Sequence, residues 1–404
     1  MPDITAEDAA PRVPASVRSL FSEDVALQLA MLRRDLHRNP ELSWKEERTS
    51  ELLASKLKEA GVGDVKRVAT TGLVARVPGR DRSAPLVALR GDIDALPINE
   101  DTGLPFASRN AGVMLACGHD VHATWALAAT RLLLANPARG DVLVVFQPAE
   151  EVGEGARAIL ATGALDAARA IFGGHVDRRF EVGQVVAQEG ALAASTDTFR
   201  ITLTGAGSHG ARPHESRDPI VGAGALIGAL QTIVSRRLDP AKPGVVTVGT
   251  ISGGTAANII PDSVQLSGTI RATSPDARAL LTGELQRIAE GIASVYGLTA
   301  SITLHGGTPP IVNPAIPAGW AAQAVTRVLG ADALVPLGTT NMGGEDFAEY
   351  MQNIPGCFMR IGAREPGARV IAAHSPGYYA AEDALFIGAA VLAESARVAS
   401  EALA

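Results

Sequence analysis

The chain has 404 residues, of which 47% are hydrophobic and 20% are charged, and its formal net charge is -7. A single hydrophobic core rarely accommodates a chain of this length, so two domains are expected, and the apolar content excludes a disordered protein. Because charges of both signs are scattered, the sequence excludes a basic surface for nucleic acid or for anionic lipid. We therefore expect a small-molecule substrate, no nucleic acid and no membrane partner.

The compartment is predicted from the start of the chain and from its cysteines. The first twenty residues lack the basic start and apolar centre of a signal peptide, and no apolar run approaches the roughly 20 residues that cross a bilayer. We therefore expect a cytoplasmic protein. The sequence contains only Cys117 and Cys357, so the Cys117 thiol should stay reduced and available as a ligand.

Leucine spacing predicts two helices near the amino terminus. The first runs from Leu20 to Leu36, and the second carries the leucines of residues 52–57 to a stop at Gly61. Between them lies His37. Two roles are open for its side chain: contact with a functional site, or a solvated or capping position at a helix end.

Short apolar runs predict fully buried parallel strands at residues 86–89, 142–146, 170–172 and 357–361. Helical stretches such as residues 124–134 separate the first of them, which indicates an α/β fold. Polar side chains follow three of these runs: Asp92 and Asp94, Glu150 and Glu151, and His175. Ligands bind at the carboxyl ends of parallel strands, so these groups should converge on one edge, together with Cys117 and His119 at the start of the next helix.

The pattern changes after Gly190. Alternating strands at 198–204, 245–251, 264–270 and 302–304, with helices at 219–238 and 276–295, follow the split βαβ order of a ferredoxin-like α+β domain. The helix at 321–329, the strand at 357–361 and the helix at 384–396 then return to the first sheet. We predict a mostly parallel-sheet catalytic domain formed by residues 1–190 and 306–404, with residues 191–305 inserted as a second domain.

Five side chains in glycine- or proline-punctuated segments offer ligands for a metal: Cys117, His119, Glu151, His175 and His374. Each alone has an ordinary explanation, since a single cysteine is more often a small buried hydrophobe and a single histidine more often makes a structural hydrogen bond. Together they supply the sulfur, nitrogen and oxygen ligands that divalent metals such as zinc accept. Adjacent glutamates suit hydrolysis, because Glu151 could hold the metal while Glu150 acts as general base towards an activated water.

An ordered set of motifs resembles the M20 metallopeptidase family, in its aminoacylase, hippurate hydrolase and auxin-conjugate hydrolase branch. The resemblance extends from about residue 30 to 395 and rests on residues 34–42, 92–97, 117–122, 147–151, 174–176, 258–262, 268–271, 345–347 and 374–376. It implies a metallohydrolase domain with an inserted lid and dimerisation domain, and a homodimer or higher homo-oligomer. It also implies two divalent metal ions per subunit, zinc, manganese, cobalt or nickel, and an amidohydrolase that splits N-acyl amino acids.

Carried over position by position, the resemblance makes Cys117, His119, Glu151, His175 and His374 the metal ligands and Glu150 the general base and acid. Asp94 matches an aspartate that orients a ligand. The chain departs from the pattern at four places. Asp92 stands where the wider family has histidine, Leu115 replaces a histidine of this branch, Gly91 replaces an alanine, and Glu382 and Asp383 reverse the usual acidic order.

The inserted domain resembles the family in its substrate contacts. His209 matches a glycine-flanked histidine that polarises the scissile carbonyl, often across a dimer interface. Asn258 and Arg271 match positions that bind the carboxylate of the substrate, a task that suits the planar fork of arginine.

Other classes of protein stay open. A dipeptidase or carboxypeptidase of the same fold would differ only in what the acyl side carries. A cysteine amidase would use Cys117 as nucleophile with His119 and Asp120, but residues this close at a helix start form a poor relay, and the paired glutamates would have no function. A catalytically inactive binding protein should have lost the base, whereas Glu150 is present.

Overall fold

The computed structural model of the chain describes residues 13–404. These residues form two compact units. The first unit takes the chain up to Gly190, Asn313–Gly338 and Glu349–Ala404, and the second unit takes Ala191–Val312 and Thr339–Ala348. The prediction about a signal peptide falls partly on residues 1–12, which lie outside the described residues.

The helices along the described residues are α1 Ala15–Arg18, α2 Glu23–Arg38, α3 Glu47–Glu59, α4 His119–Ala135, α5 Gly155–Ala161, α6 Pro219–Thr232, α7 Pro275–Val295, α8 Ala315–Leu329, α9 Phe347–Tyr350 and α10 Ala384–Ala402. The strands are β1 Asp64–Val68, β2 Gly72–Val77, β3 Leu86–Asp92, β4 Val142–Gln147, β5 Ala168–Glu181, β6 Val185–Val186, β7 Gly190–Ala193, β8 Asp197–Thr204, β9 Ser208–His209, β10 Gly244–Gly253, β11 Ile259–Ile260, β12 Ser263–Ala272, β13 Thr299–His305, β14 Ile311–Asn313 and β15 Gly356–Arg364. A π-helical turn, Ile233–Arg237, extends α6, and 3₁₀ turns occupy Pro213–Glu215 and Ala331–Ala333.

The sheet of the first unit has the strand order β1-β2-β4-β3-β5-β15-β6. Its four central strands β4, β3, β5 and β15 run parallel, and the outer strands pair antiparallel. The predicted α/β fold is confirmed, because the four apolar runs are these central strands and are almost entirely buried. The antiparallel pair β1 and β2 was not predicted, since β1 is short, polar and mostly exposed.

Helix α4 is the central helix of the first unit and is buried at nearly every position from His119 to Leu133. It packs closely on β3, where a Cβ added at Gly91 would lie 2.4 Å from the carbonyl oxygen of His122. An alanine at position 91 would therefore push the helix away from the strand. This contact is the structural reason for glycine at position 91, where the family branch that the chain resembles has alanine.

The second unit has an antiparallel sheet of order β10-β12-β8-β13, with a core shared by α6 and α7. Its chain order β8-α6-β10-β12-α7-β13 confirms the predicted ferredoxin-like pattern. By length and composition alone one helix of the described residues, Pro219–Arg237, could cross a membrane, which the sequence analysis did not anticipate. This helix packs on β8, β12 and α7.

Candidate metal centre

The predicted ligands converge in the first unit. Donor atoms lie within 4.8 Å of one another in three groups: Cys117, His119 and His175; Cys117, Glu151 and His374; and His119, Glu150 and Glu151. Cys117, His119 and Glu151 each belong to two of these groups, so the groups form one continuous cluster. These groups come from the start of α4, the turn after β4, strand β5 and the segment before α10.

The sequence analysis predicted that His175 follows its strand. In the structure His175 lies within β5. Its position is nevertheless open on one side, because the pairing of β3 with β5 ends at Leu89 and Phe172. Beyond that point β5 pairs only with β15, where His175 faces Arg360 in register. The parallel sheet therefore ends locally beside His175, although the strand continues.

The rings of His119 and His175 are each oriented by a hydrogen bond from Nδ1. His119 Nδ1 donates to the backbone carbonyl of Asp94 at 2.8 Å, and His175 Nδ1 donates to the carbonyl of Val176 at 2.6 Å. Each Nε2 then keeps its lone pair, which is the arrangement that metal-binding histidines require. His175 Nε2 lies 3.1 Å from Cys117 Sγ.

The cluster concentrates acidic groups where water is excluded. Burial, followed by the neighbouring Glu151 carboxylate, raises the pKa of the Cys117 thiol well above its usual value. Burial also raises the pKa of Glu151 to about 7. Burial alone would lower the pKa of His119, but Asp92, Asp94 and Cys117 together outweigh burial and raise this pKa well above its usual value. The site therefore favours additional positive charge.

The residues fit divalent cations. His119 Nε2 and Glu151 Oε1 are buried and have no hydrogen-bond partner, although buried polar atoms are normally satisfied. His119 Nε2 lies 3.8 Å from Glu151 Oε1, and His374 Nε2 lies 3.4 Å from Glu151 Oε2. Nitrogen, oxygen and sulfur donors of this kind match zinc and related metals.

Asp92 and His122 also approach the cluster, but both are already satisfied. His122 Nδ1 donates to Asp92 Oδ1 at 2.6 Å, and His122 Nε2 accepts the backbone N–H of Val176 at 3.0 Å. The second oxygen of Asp92 accepts from Arg90. Each ring nitrogen of His122 and each oxygen of Asp92 thus already has a hydrogen-bond partner, and Asp92 orients the ring of His122.

Asp94 lies where the sequence analysis expected an orienting residue. Its Oδ2 accepts the backbone N–H of Glu151 at 3.0 Å and the hydroxyl of Ser43 at 2.7 Å. The buried Glu46 accepts the backbone N–H of Ala149 at 2.9 Å, at a turn where Ala149 has φ 53°. Sequence reasoning missed Ser43 and Glu46, because no spacing links residues 43–46 to the turn before Glu150.

The solvated role considered for His37 is wrong. His37 is buried, and its ring contacts Asp120 Oδ2 at 2.9 Å and Glu100 Oε1 at 3.2 Å. The same Asp120 oxygen lies 2.7 Å from Arg33 Nε. Asp120 is thus engaged by Arg33 and His37, and the Cys117–His119–Asp120 relay of a cysteine amidase is not assembled. Glu382, one of the reversed acidic residues, pairs bidentately with Arg34.

The three substrate-contact candidates of the second unit do not lie together. His209 on β9 pairs with Ile259 on β11, and the backbone of Asn258 accepts from Gly210 at 2.7 Å. Arg271 lies near the opposite end of β12, where its guanidinium donates to the carbonyl of Ile270 at 3.1 Å. His209 and Asn258 are neighbours, whereas Arg271 is remote from both along the strand.

A part-buried glutamate beside overlapping ligand groups, at the end of a parallel sheet, is the arrangement of a metal-dependent hydrolase. The chain matches Peptidase family M20/M25/M40 over residues 88–397. It belongs to this family.

Relatives and solved structures agree with this assignment. N-acetyl-L-cysteine deacetylase of Bacillus subtilis (strain 168) is 40% identical over 337 residues, which cover 83% of this chain and 80% of the relative. Thermostable carboxypeptidase 2 of Saccharolobus solfataricus is 34% identical over 369 residues, covering 89% and 92%. A Bacillus subtilis crystal structure described as a dinuclear metal binding peptidase from the M20 family is 35% identical, with a TM-score of 0.84 and coverage of 94% and 99%.

Proposed function

We propose that this protein hydrolyses the amide bond of N-acyl amino acids and releases a carboxylic acid and a free amino acid. The observation that carries the proposal is the ligand cluster of Cys117, His119, Glu151, His175 and His374 with Glu150 beside it. Two divalent ions per subunit, drawn from zinc, manganese, cobalt and nickel, would occupy it. One of the relatives is named a deacetylase, which supports the proposal that the substrate carries an acyl group.

Bound cations would polarise the amide carbonyl and lower the pKa of a water molecule. Glu150, whose Oε2 lies 3.9 Å from His119 Nε2, accepts a proton from that water and delivers it to the leaving amide nitrogen. The new bond joins the water oxygen to the carbonyl carbon, and the carbon–nitrogen bond breaks. Asp94 orients Glu151 and His119 through the hydrogen bonds described above.

The second unit, with the inserted residues 191–305, would serve as lid and dimerisation domain. His209 would stabilise the oxyanion, while Asn258 and Arg271 bind the substrate carboxylate. A strand rises about 3.3 Å per residue, which places Ser263 and Arg271 about 26 Å apart. A small substrate therefore cannot contact both ends of β12 in one chain. We therefore propose that one subunit supplies His209 to the substrate held by its partner.

A second copy of this chain is the partner that fits the exposed apolar face of the second unit. Strand β10 is one of the two edge strands of its sheet, and unpaired edges are sites of strand association. Ile251 on β10 and Val221 on α6 are each 53% exposed, and Ile220 is 47% exposed. Apolar side chains of this size are usually covered, which supports a homodimer. A cytoplasmic location, consistent with two free cysteines, is part of the same proposal.

The name of one relative favours a second candidate, a carboxypeptidase or dipeptidase acting on the same bond. Metal removal and a substrate panel test both. We expect a chelator to abolish hydrolysis of acetyl, benzoyl, indolyl-acyl or aminoacyl conjugates of amino acids, and added Zn²⁺, Mn²⁺, Co²⁺ or Ni²⁺ to restore it. Preference for aminoacyl conjugates would favour the peptidase. Activity that survives metal removal but is lost on thiol alkylation would contradict both.

A further inference from the structure

His374 is the least constrained of the five proposed ligands. Its side chain is 52% exposed, whereas the carboxylate of Glu151 beside it is 8% exposed. It lies in a segment without helix or strand between β15 and α10, and its φ of 64° is unusual for a residue with a Cβ. Burial does not hold this imidazole in place, so other contacts must fix the segment around it.

Arg178 supplies such contacts from the opposite side. It lies on β5, three residues beyond His175, and is only 2% exposed. Its guanidinium donates to the backbone carbonyls of Tyr379 at 3.1 Å, Ala363 at 3.3 Å and Arg369 at 3.3 Å, lies 3.2 Å from Glu365 Oε2, and covers the ring of Tyr379 at 4.3 Å. These partners bracket His374 along the chain on both sides.

A buried guanidinium is costly unless its charge and its N–H groups are matched. Here the carboxylate of Glu365 balances the charge. The two terminal nitrogens of Arg178 donate to the carbonyl of Ala363 at the end of β15 and to the carbonyls of Arg369 and Tyr379 in the irregular segment that follows. A lysine could not reproduce this arrangement, because all its N–H donors sit on one nitrogen atom. That single atom cannot lie close to all three carbonyls at once. Arg178 therefore joins the strand of one ligand, His175, to the segment that carries another.

We propose that Arg178 is a positioning residue for His374, which keeps the imidazole within reach of the cation shared with Cys117 and Glu151. The proposal rests on the metal site of the proposed function. In this proposal Arg178 touches neither substrate nor cation and acts only through its contacts with residues 363–379. Its loss should weaken binding of that one ion and spare the ion held by Cys117, His119 and His175.

The test is Zn²⁺ binding to the full-length protein, measured by equilibrium dialysis and elemental analysis. We expect Arg178→Lys to raise the free Zn²⁺ needed for the second ion by about 10- to 100-fold, the range for residues that support metal ligands, and to leave the first ion unchanged. Its kcat should return to near the wild-type value at saturating Zn²⁺, which a general folding defect would not allow. Arg179→Lys is the matched control, because Arg179 pairs with Asp177 of its own strand.

Two further variants keep the outcomes separate. His374→Ala should bind one ion, which identifies the weakened site. Glu365→Gln removes the partly exposed carboxylate partner of Arg178 without opening the core and should weaken the second ion in the same direction, so the test does not depend on the folding of Arg178→Lys. Unchanged affinity for the second ion in Glu365→Gln, or in a folded Arg178→Lys, would overturn the positioning role. A wild-type protein that binds no ions would instead overturn the proposed function.

Discussion

Glu150 and Glu151 are neighbours in sequence but have different surroundings. The backbone N–H of Glu151 is held by Asp94, and its Oε1 is buried without a hydrogen-bond partner. Both carboxylates lie within 3.9 Å of His119 Nε2. The turn that presents them is fixed by Glu46 through the N–H of Ala149. One glutamate can therefore hold a cation while the other, on the same turn, moves a proton.

Glu150→Gln separates these two tasks. The amide keeps the size of the side chain but cannot accept a proton, so we expect kcat to fall by about 100- to 10,000-fold while two ions stay bound. Steady-state kinetics and elemental analysis measure the two effects. Glu154→Gln, on the same turn and paired with Trp44, should stay near wild type. Normal turnover in Glu150→Gln would refute the assigned role.

His37 illustrates a buried residue that serves stability. Burial alone would lower its pKa, but the carboxylates of Asp120 and Glu100 raise it to about 9 from an ordinary 6.5. Since the folded pKa lies above the unfolded one, the stabilisation is complete below pH 6.5 and is lost as the pH rises through 9.

The corresponding prediction concerns stability against pH. We expect the free energy of unfolding lost in His37→Gln to be larger at pH 6 than at pH 10, by up to about 3 kcal/mol. Urea denaturation of wild type and variant at both pH values measures it. The exposed His214, changed to Gln, is the control. An equal loss at both values would show that the two carboxylates do not hold a protonated His37.

At the scale of elements, the start of α4 depends on one left-handed residue. Gly118 has φ 92°, and a Cβ there would lie 2.4 Å from Val176 Cγ2 and 3.4 Å from the hydroxyl of Tyr378. This turn lies between the proposed ligands Cys117 and His119, so a shift of the backbone here would displace both side chains.

Gly118→Ala should therefore combine strain with a steric clash. The left-handed conformation costs an alanine roughly 1–2 kcal/mol, and the contact with Val176 adds displacement of the ligands. We expect a lower unfolding temperature and weaker Zn²⁺ binding. Gly61→Ala is a matched control, because Gly61 has φ 96° with nothing within 4 Å, and should lose stability alone. Equal Zn²⁺ affinity in the two variants would contradict the prediction.

Elements whose side chains share one environment were predictable from sequence. Each of β3, β4, β5 and β15 contains a continuous apolar run, because both faces of a central parallel strand are buried there. The second unit was predictable because its strands alternate and its helices are long. Polar, exposed β1 gave no such signal, and neither did the contacts of Ser43 with Asp94 or of Arg178 with the His374 segment. Those contacts join residues distant in sequence, and no periodicity records them.

At the scale of the whole molecule, the proposal that His209 acts on substrate held by the partner subunit requires more than one chain per working site. If each complete site takes Arg271 and Glu150 from one subunit and His209 from the other, two differently inactivated chains can complement each other. Two chains that each carry a defect in the metal site of the first unit cannot complement each other, because every site in the dimer would then contain one of the two defects.

Mixing His209→Ala with Glu150→Gln chains tests this arrangement. Random pairing makes half of the dimers hybrid, and each hybrid has one intact site, so we expect about a quarter of the wild-type activity. Mixing Glu150→Gln with His374→Ala should recover none, which is the matched control. Absence of recovery in hybrids verified by mass spectrometry would argue against the shared site and favour a histidine that acts within its own chain.

The first unit is assembled from chain segments on both sides of an insertion. Strand β5 pairs with β15, nearly two hundred positions later, and pairings this distant in sequence are formed slowly. During synthesis β3, β4 and β5 leave the ribosome long before β15 can complete their sheet, whereas the second unit has all the strands of its own sheet by His305. The nascent first unit therefore exposes the β5 edge for most of the translation that follows β5, and the proposed cation-binding cluster cannot close until His374 has been synthesised.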